Sequence, residues 1–251
     1  MAKQKGIIKL RGTVGDITFY KTKDGHLARE KGGVDGNRIA NDPAFKRTRE
    51  NGSEFGRAGK SGKVLRAAFR GVLLKSADPR MTSRLTQQMV KVIQADATSV
   101  RGERNVIDGE AELLQGFEFN NRAALGAILF APFVTSIDRV TGELSVNIAS
   151  FIPSNMVMAP SGTTHYKIVS AGAEIDFTNE TFVVDTSESV PLPWTMVPSV
   201  VLTQTNTVPA NSTHPLFLVV GIEFYQEVNG MMYPLNNGAF NGFSIVKVNG
   251  V

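Results

Sequence analysis

The sequence predicts an α+β protein, a basic N-terminal β-meander and helical hairpin followed by an antiparallel β-sandwich of the immunoglobulin or fibronectin type. Three observations carry this expectation. Apolar residues recur at helical spacing between residues 43 and 97, and from Phe117 onward the period switches to two. The charge also changes sign along the chain. Residues 1–104 hold 23 Lys+Arg against 10 Asp+Glu, a net of +13, whereas residues 105–251 hold 4 against 13, a net of −9. The polar, glycine-bearing stretch TSVRGERNVIDG at 98–109 reads as the linker, so the expected domains are 1–104 and 105–251.

The meander is expected over about residues 6–31 as two or three strands. Ile7, Ile8 and Leu10, then Ile17, Phe19 and Tyr20, sit among β-favouring neighbours. Asp24-Gly25 between two such runs predicts a type I′ hairpin turn, which needs positive φ at both central residues. A sheet this small needs something to lean on. Asn41-Asp42-Pro43 then offers a helix cap with proline at the first helical position, and the helix is expected to run to about Ala77. Phe55, Ala58, Leu65, Phe69 and Val72 project to one side of it, and Arg49, Arg57, Lys60, Lys63 and Arg70 to the other. Gly52, Gly56, Gly59 and Gly62 each cost about 1 kcal/mol relative to alanine, which predicts either a break or close backbone packing. Asp78-Pro79 repeats the cap signal before a second helix to about Ala97, with Leu85, Met89, Val92 and Ile93 on its apolar face.

In the second half, strands are expected at 128–138, 143–150, 164–170, 173–177, 181–184, 199–205, 216–226 and 243–248, with hairpins at Thr141-Gly142 and Asn229-Gly230. Trp194 reads as core or a loop plug.

The chemistry-bearing residues exclude more than they establish. The absence of cysteine rules out thiol catalysis, disulfides and Cys-based zinc sites. GRAGKSGK at 56–63 resembles a phosphate-binding loop but has Glu54 where the motif requires its first glycine, and no buried strand precedes it. His26, His165 and His214 lie in separate elements without ligand spacing, and His26 is expected to be exposed. Glu174 with Asp176, and Glu110 with Glu112, are close pairs expected on solvated faces, since neither comes with a nucleophile. No catalytic residue, cofactor site, metal site or small-molecule substrate is therefore expected. The opening MAKQKGIIKL carries charge but no apolar run of signal-peptide length, and the most apolar stretch, around Phe217–Ile222, is too short to span a membrane. A cytoplasmic protein without membrane partners is expected, with signal-independent export or a viral particle as the alternative settings.

The candidate assembly or anion-binding residues are Lys9, Arg11, Lys21 and Lys23 on the meander and Arg49, Arg57, Lys60, Lys63 and Arg70 on the helix. Such a set can neutralise phosphates, but Phe19 and Tyr20 alone make a thin stacking platform.

The runs GTVGDITFYKTKDGHLAREKGG, NDPAFKRTRENGSEFGRAGKSGK and GIEFYQEVNGMMYPLNNGAFNGFSIVKV resemble a family of uncharacterised Bacteroidota proteins with a short N-terminal meander, a helical segment and a C-terminal β-domain. The resemblance covers most of the chain and implies no activity and no functional residues. The function expected is thus a non-enzymatic structural protein that forms a homo-oligomer or polymer (filament, tube, ring or shell) through its complementary halves, with a nucleic-acid-binding scaffold as the alternative.

Overall fold

The computed structural model describes residues 2–30, 32–76, 78–107 and 109–250, apart from the side chains of Asn236 and Asn237. The expected helix end at Ala77, Asp108 of the expected linker, and the chain ends Met1 and Val251 lie outside the described residues. Contacts divide the chain into two compact units, Met1–Arg49 and Glu50–Val251. That is not the division expected near residues 98–109, because residues 50–104 share a core with the β-rich half.

The first unit holds a four-stranded antiparallel sheet, one strand more than expected. Its strands are β1 (Ala2–Lys3), β2 (Gly12–Val14), β3 (Ile17–Thr22) and β4 (Gly25–Glu30), in the order β1-β4-β3-β2. Thr22 pairs with Gly25, so Lys23-Asp24 forms the hairpin tip, and Gly25 alone of Asp24-Gly25 has positive φ. This corrects the expected type I′ turn. The Thr22 hydroxyl shapes the turn instead, accepting from Asp24 N and donating to Gly25 O, both at 3.2 Å. Ile7 and Ile8 belong to no strand. The loop that carries them is closed at its base by the Gln4 amide, whose oxygen accepts from Leu10 N at 2.9 Å and whose nitrogen donates to Leu10 O at 3.3 Å. A short helix α1 (Gly36–Asn41) follows, and Asp42 caps the 3-10 turn Pro43–Phe45 by accepting from Ala44 N at 2.9 Å, as the Asn-Asp-Pro signal predicts. Among the described residues of this unit, none is buried.

Helix α2 (Lys46–Ala68) runs without a break through all four glycines. A methyl group at Gly52, Gly56 or Gly59 would meet open space, and only Gly62 faces a neighbour, within ordinary contact of Leu85 and Met89. The expected break is absent, and close packing holds at one glycine of four. After α3 (Arg70–Leu73), α4 (Met81–Gln94) buries Leu85, Met89, Val92 and Ile93, the face its spacing predicts. Its N-cap is Arg80 and makes no side-chain cap, while Asp78 accepts from Arg80 N and from the Arg84 guanidinium.

The β-rich part adds the short helices α5 (Leu125–Ile128) and α6 (Pro153–Met156). Its strands are β5 (Phe133–Asp138), β6 (Glu143–Ile148), β7 (His165–Asp176), β8 (Thr181–Glu188), β9 (Leu192–Pro193), β10 (Leu202–Thr207), β11 (Leu216–Val228), β12 (Met231–Pro234) and β13 (Gly242–Asn249). All pairings are antiparallel. β10-β6-β5 form one sheet. In the other, β7 and β11 are central, β8 and β9 flank β7, and β12 and β13 flank β11. The two strands expected at 164–170 and 173–177 are one continuous β7, and of the strand expected at 128–138 Ile128 ends α5 and the strand itself begins at Phe133.

Alternation along β7 and β11 gives the larger sheet two apolar faces. Val169, Ala171, Ala173, Ile175, Phe217 and Val219 pack with Phe243 and Ile245 of β13 and with the buried faces of α2 and α4. Tyr166, Ile168, Leu216, Leu218, Val220 and Ile222 pack with Leu144, Val146 and Ile148 of β6 and Leu202 of β10. Polar side chains tie the two sheets together. Gln204 donates to Ile168 O at 2.7 Å, and Ser170 Oγ donates to Asn206 Oδ1 at 2.7 Å. Trp194 plugs the edge of this second core, with Nε1 donating to Val157 O at 3.2 Å. Among the described residues, no helix is long and apolar enough to cross a membrane.

Candidate functional site

The basic residues fall into three groups. On the first unit, Lys9, Arg11, Lys21 and Lys23 are all exposed. Lys9 Nζ donates to Gln4 O at 2.5 Å, which turns its head toward the base of the Ile7-Ile8 loop. Lys21 sits opposite His26 across β3 and β4. Burial of the His26 ring, then the positive charges of Lys21, Lys9 and Arg11, holds its pKa below the ordinary value. His26 is therefore half-buried with an unpaired buried Nδ1, which corrects the expectation that it is exposed. Lys21, Lys9 and Arg11 thus act together on the His26 ring.

The second group is structural. Arg49 donates to Ile39 O at 2.8 Å and to Asp42 O at 3.0 Å, satisfying carbonyls at the end of α1. Arg57 donates to Gly102 O at 2.6 Å and Arg104 O at 3.0 Å, and buried Glu54 accepts from Gly102 N at 2.9 Å. Residues 98–107 are thus bound to α2 and do not form a free linker. The carboxylate that breaks the phosphate-loop motif fixes this segment in place. Because Glu54 occupies the covered arc at that height, Phe55, about 100° further round the helix, projects outward and is 62% exposed. Its expected place on the apolar face is corrected.

The third group keeps its charge available. Lys60 lines a cleft of about 400 Å³ with Phe177, Thr178 and Glu180. Lys63 and Arg70, joined by Arg66, line a depression of about 360 Å³ with Leu73, Leu74 and Met81. No carboxylate lines this depression.

The acidic half offers a different surface, one without an obvious signal in the sequence. β8 is an edge strand, and Phe182, Val183 and Val184 on it are exposed. Near its middle the edge is occupied, since Asp185 O accepts from Asn206 Nδ2 and Asp185 Oδ2 from Thr207 N. Before that point a depression of about 200 Å³ opens, lined by Glu174, Asp176, Thr181, Phe182, Val183 and His214. Glu174 and Asp176 share a strand face as their spacing predicts, but the expected solvated face is corrected. Glu174 accepts a short hydrogen bond from Ser212 Oγ, and Asp176 accepts from Thr178 N, Asn179 N and Asn179 Nδ2 at 2.6–3.0 Å. Hydrogen bonds from Asn179 lead the causes that depress the Asp176 pKa, so it is ionised at neutral pH. His214 Nε2 lies 3.8 Å from Asp176.

Other charged groups are spent on architecture. Glu223, buried in β11, pairs with Lys75 at 3.0 Å and accepts from Tyr225 OH at 2.5 Å, while Lys167 and Lys75 share Glu188. Arg139, in the turn between β5 and β6, donates to the carbonyls of Ser212, His214, Asn249 and Gly250 at 2.5–2.8 Å. It ties three distant segments together. Comparison of the chain with protein-family models, curated proteins and solved structures finds no match.

Proposed function

We propose that this chain is a non-enzymatic structural protein that assembles with copies of itself. One observation carries the reading. The first unit builds a four-stranded sheet without a buried residue among those described, while leaving Ile7, Ile8, Leu10, Val14 and Ile17 exposed. Apolar surface of this kind, on an element that cannot close a core of its own, calls for cover from another molecule. Charge supports a second copy as that cover. The first unit holds 12 Lys+Arg against 5 Asp+Glu, and the remainder of the chain holds 15 against 18. The apolar core shared by β6, β10, β7 and β11 supports reading the back half as an antiparallel sandwich. Helices on the far face of its larger sheet are an addition that the immunoglobulin and fibronectin type lacks. No cofactor enters this reading.

Light scattering after size exclusion, with negative-stain microscopy, tests it. The expected result at about 50 mM salt is a particle several chains in mass that shrinks as salt screens the contact. A monomer at high concentration and low salt rejects the reading. A nucleic-acid scaffold is the second reading, favoured by the depression that collects Lys63, Arg66 and Arg70 without a carboxylate. It predicts retardation of duplex or single strands at about 50 mM salt and steep loss of binding at higher salt. Unretarded strands count against it.

A further inference from the structure

We infer that the loop bearing Ile7 and Ile8 in one copy docks into the acidic depression beside β8 of a second copy, and that this contact propagates the assembly. The inference rests on the self-assembly reading and adds its two surfaces.

The donor is a built feature. Gln4 clamps Leu10 from both sides with its side-chain amide and also donates to Leu27 O at 3.0 Å, so residues 5–9 form a closed loop anchored to β4. Lys9 adds a further tie at Gln4 O. Held in this way, the loop presents two β-branched apolar side chains at its tip, Ile7 at 102% and Ile8 at 81% exposure. Lys5 and Lys9 flank them, and residues 2–11 contain no carboxylate. A preorganised tip loses little conformational freedom on docking, which favours binding over retention in water.

The receptor has the matching chemistry. Val183, the register partner of Glu174, gives it an apolar side chain on the sheet face that carries Glu174 and Asp176, whose carboxylates supply negative charge, and Phe182 of the same strand edge also lines it. Both carboxylates are fixed by hydrogen bonds within the second unit, so they need no rearrangement to meet a lysine. The adjacent strand edge at Thr181–Val184 has no β-partner among the described residues, which is the state that native sheets ordinarily cover or blunt. Donor and receptor are built from different residues, so the two sides of the contact are not the same patch. The contact is therefore head-to-tail, and it continues into a ring or an open filament.

The experiment compares wild type with two variants by light scattering. Ile7→Asp combined with Ile8→Asp removes the donor tip, and Val183→Lys removes the receptor while matching the sign of Lys5 and Lys9. All three side chains are exposed in the single chain, and circular dichroism checks that each variant keeps its fold. Each variant alone is expected to run as a monomer. An equimolar mixture is expected to give a particle of two chains and no larger, because one intact tip then meets one intact receptor. If wild type assembles and the tip variant assembles equally well, this contact is overturned while self-assembly stands. Monomeric variants that fail to pair in the mixture overturn the head-to-tail geometry. A wild type that is itself monomeric removes both readings.

Discussion

Asp96 stands where α4 ends and accepts from the backbone nitrogens of Thr98, Ser99 and Asn105 at 2.8, 2.9 and 3.1 Å, and from the Thr98 hydroxyl at 3.0 Å. Burial alone would raise its pKa, but donors from Ser99, Asn105 and Thr98 outweigh burial and hold it well below the usual carboxylate range. A depressed folded pKa contributes stability above the unfolded value, about 3.9, and that contribution is lost as pH falls through the folded value. Asp96→Ala is thus expected to lower unfolding free energy at pH 7 by about 2 kcal/mol, since it leaves several part-buried donors without their charged acceptor. The gap should narrow progressively below about pH 4, as wild type loses the same interaction. Urea melts at pH 7 and pH 3 read both numbers, and a gap that stays constant with pH contradicts the assignment. The sequence could not announce this role. TSVRGERNVIDG has the composition of a linker, and only the fold brings Asp96, Glu54 and Arg57 to its backbone. Local signals fared better at single residues. Asp42-Pro43 caps as expected because the cap is made two residues away, and Asn229-Gly230 turns with φ of 52° and 76° because both conformations are intrinsic to those residue types.

Among the elements, α2 puts the cost of its glycines on view. Gly52 and Gly56 lie in helix interior, with negative φ and nothing within reach of an added methyl. Replacing either with alanine should raise stability by about 1 kcal/mol, because alanine narrows the unfolded ensemble and meets no atom in the folded one. Gly221→Ala in β11 should do the opposite, since its methyl would fall 2.1 Å from the Phe243 ring in the packed core. Thermal melts of the three variants separate the cases, and a loss at Gly56 would mean that this face of α2 is covered in solution. The same comparison explains which elements were legible. α4 and most strands of the back half were, because period and turn chemistry are written in neighbouring residues. Two strands, 164–170 and 173–177, are expected where β7 runs continuously through Ala171-Gly172. The small size of Gly172 answers to Asn206, whose Cβ would lie 2.8 Å from an added methyl. That requirement comes from another strand.

At the scale of the whole molecule, the asymmetry of charge was plain in the sequence, and the asymmetry of packing was not. Composition fixes net charge wherever the chain goes, whereas burial depends on what each surface meets. The second unit fills two apolar cores, one on each face of its larger sheet. The first unit fills none among its described residues, and the side chains of its sheet are at most partly buried. Local opening free energy follows buried apolar contact, so amides of the two units should exchange on separate timescales. In the monomer obtained with Ile7→Asp and Ile8→Asp, the paired amides of β3 and β4 should exchange orders of magnitude faster than those of β7 and β11. Assembly of wild type should then slow exchange in the first unit, and along Thr181–Val184, while leaving the centre of the larger sheet unchanged. Hydrogen exchange read by mass spectrometry resolves these segments directly. Equal protection of β3 and β11 in the monomer would mean that the first unit is stabilised without a partner, and the need for a second copy would lose its physical basis.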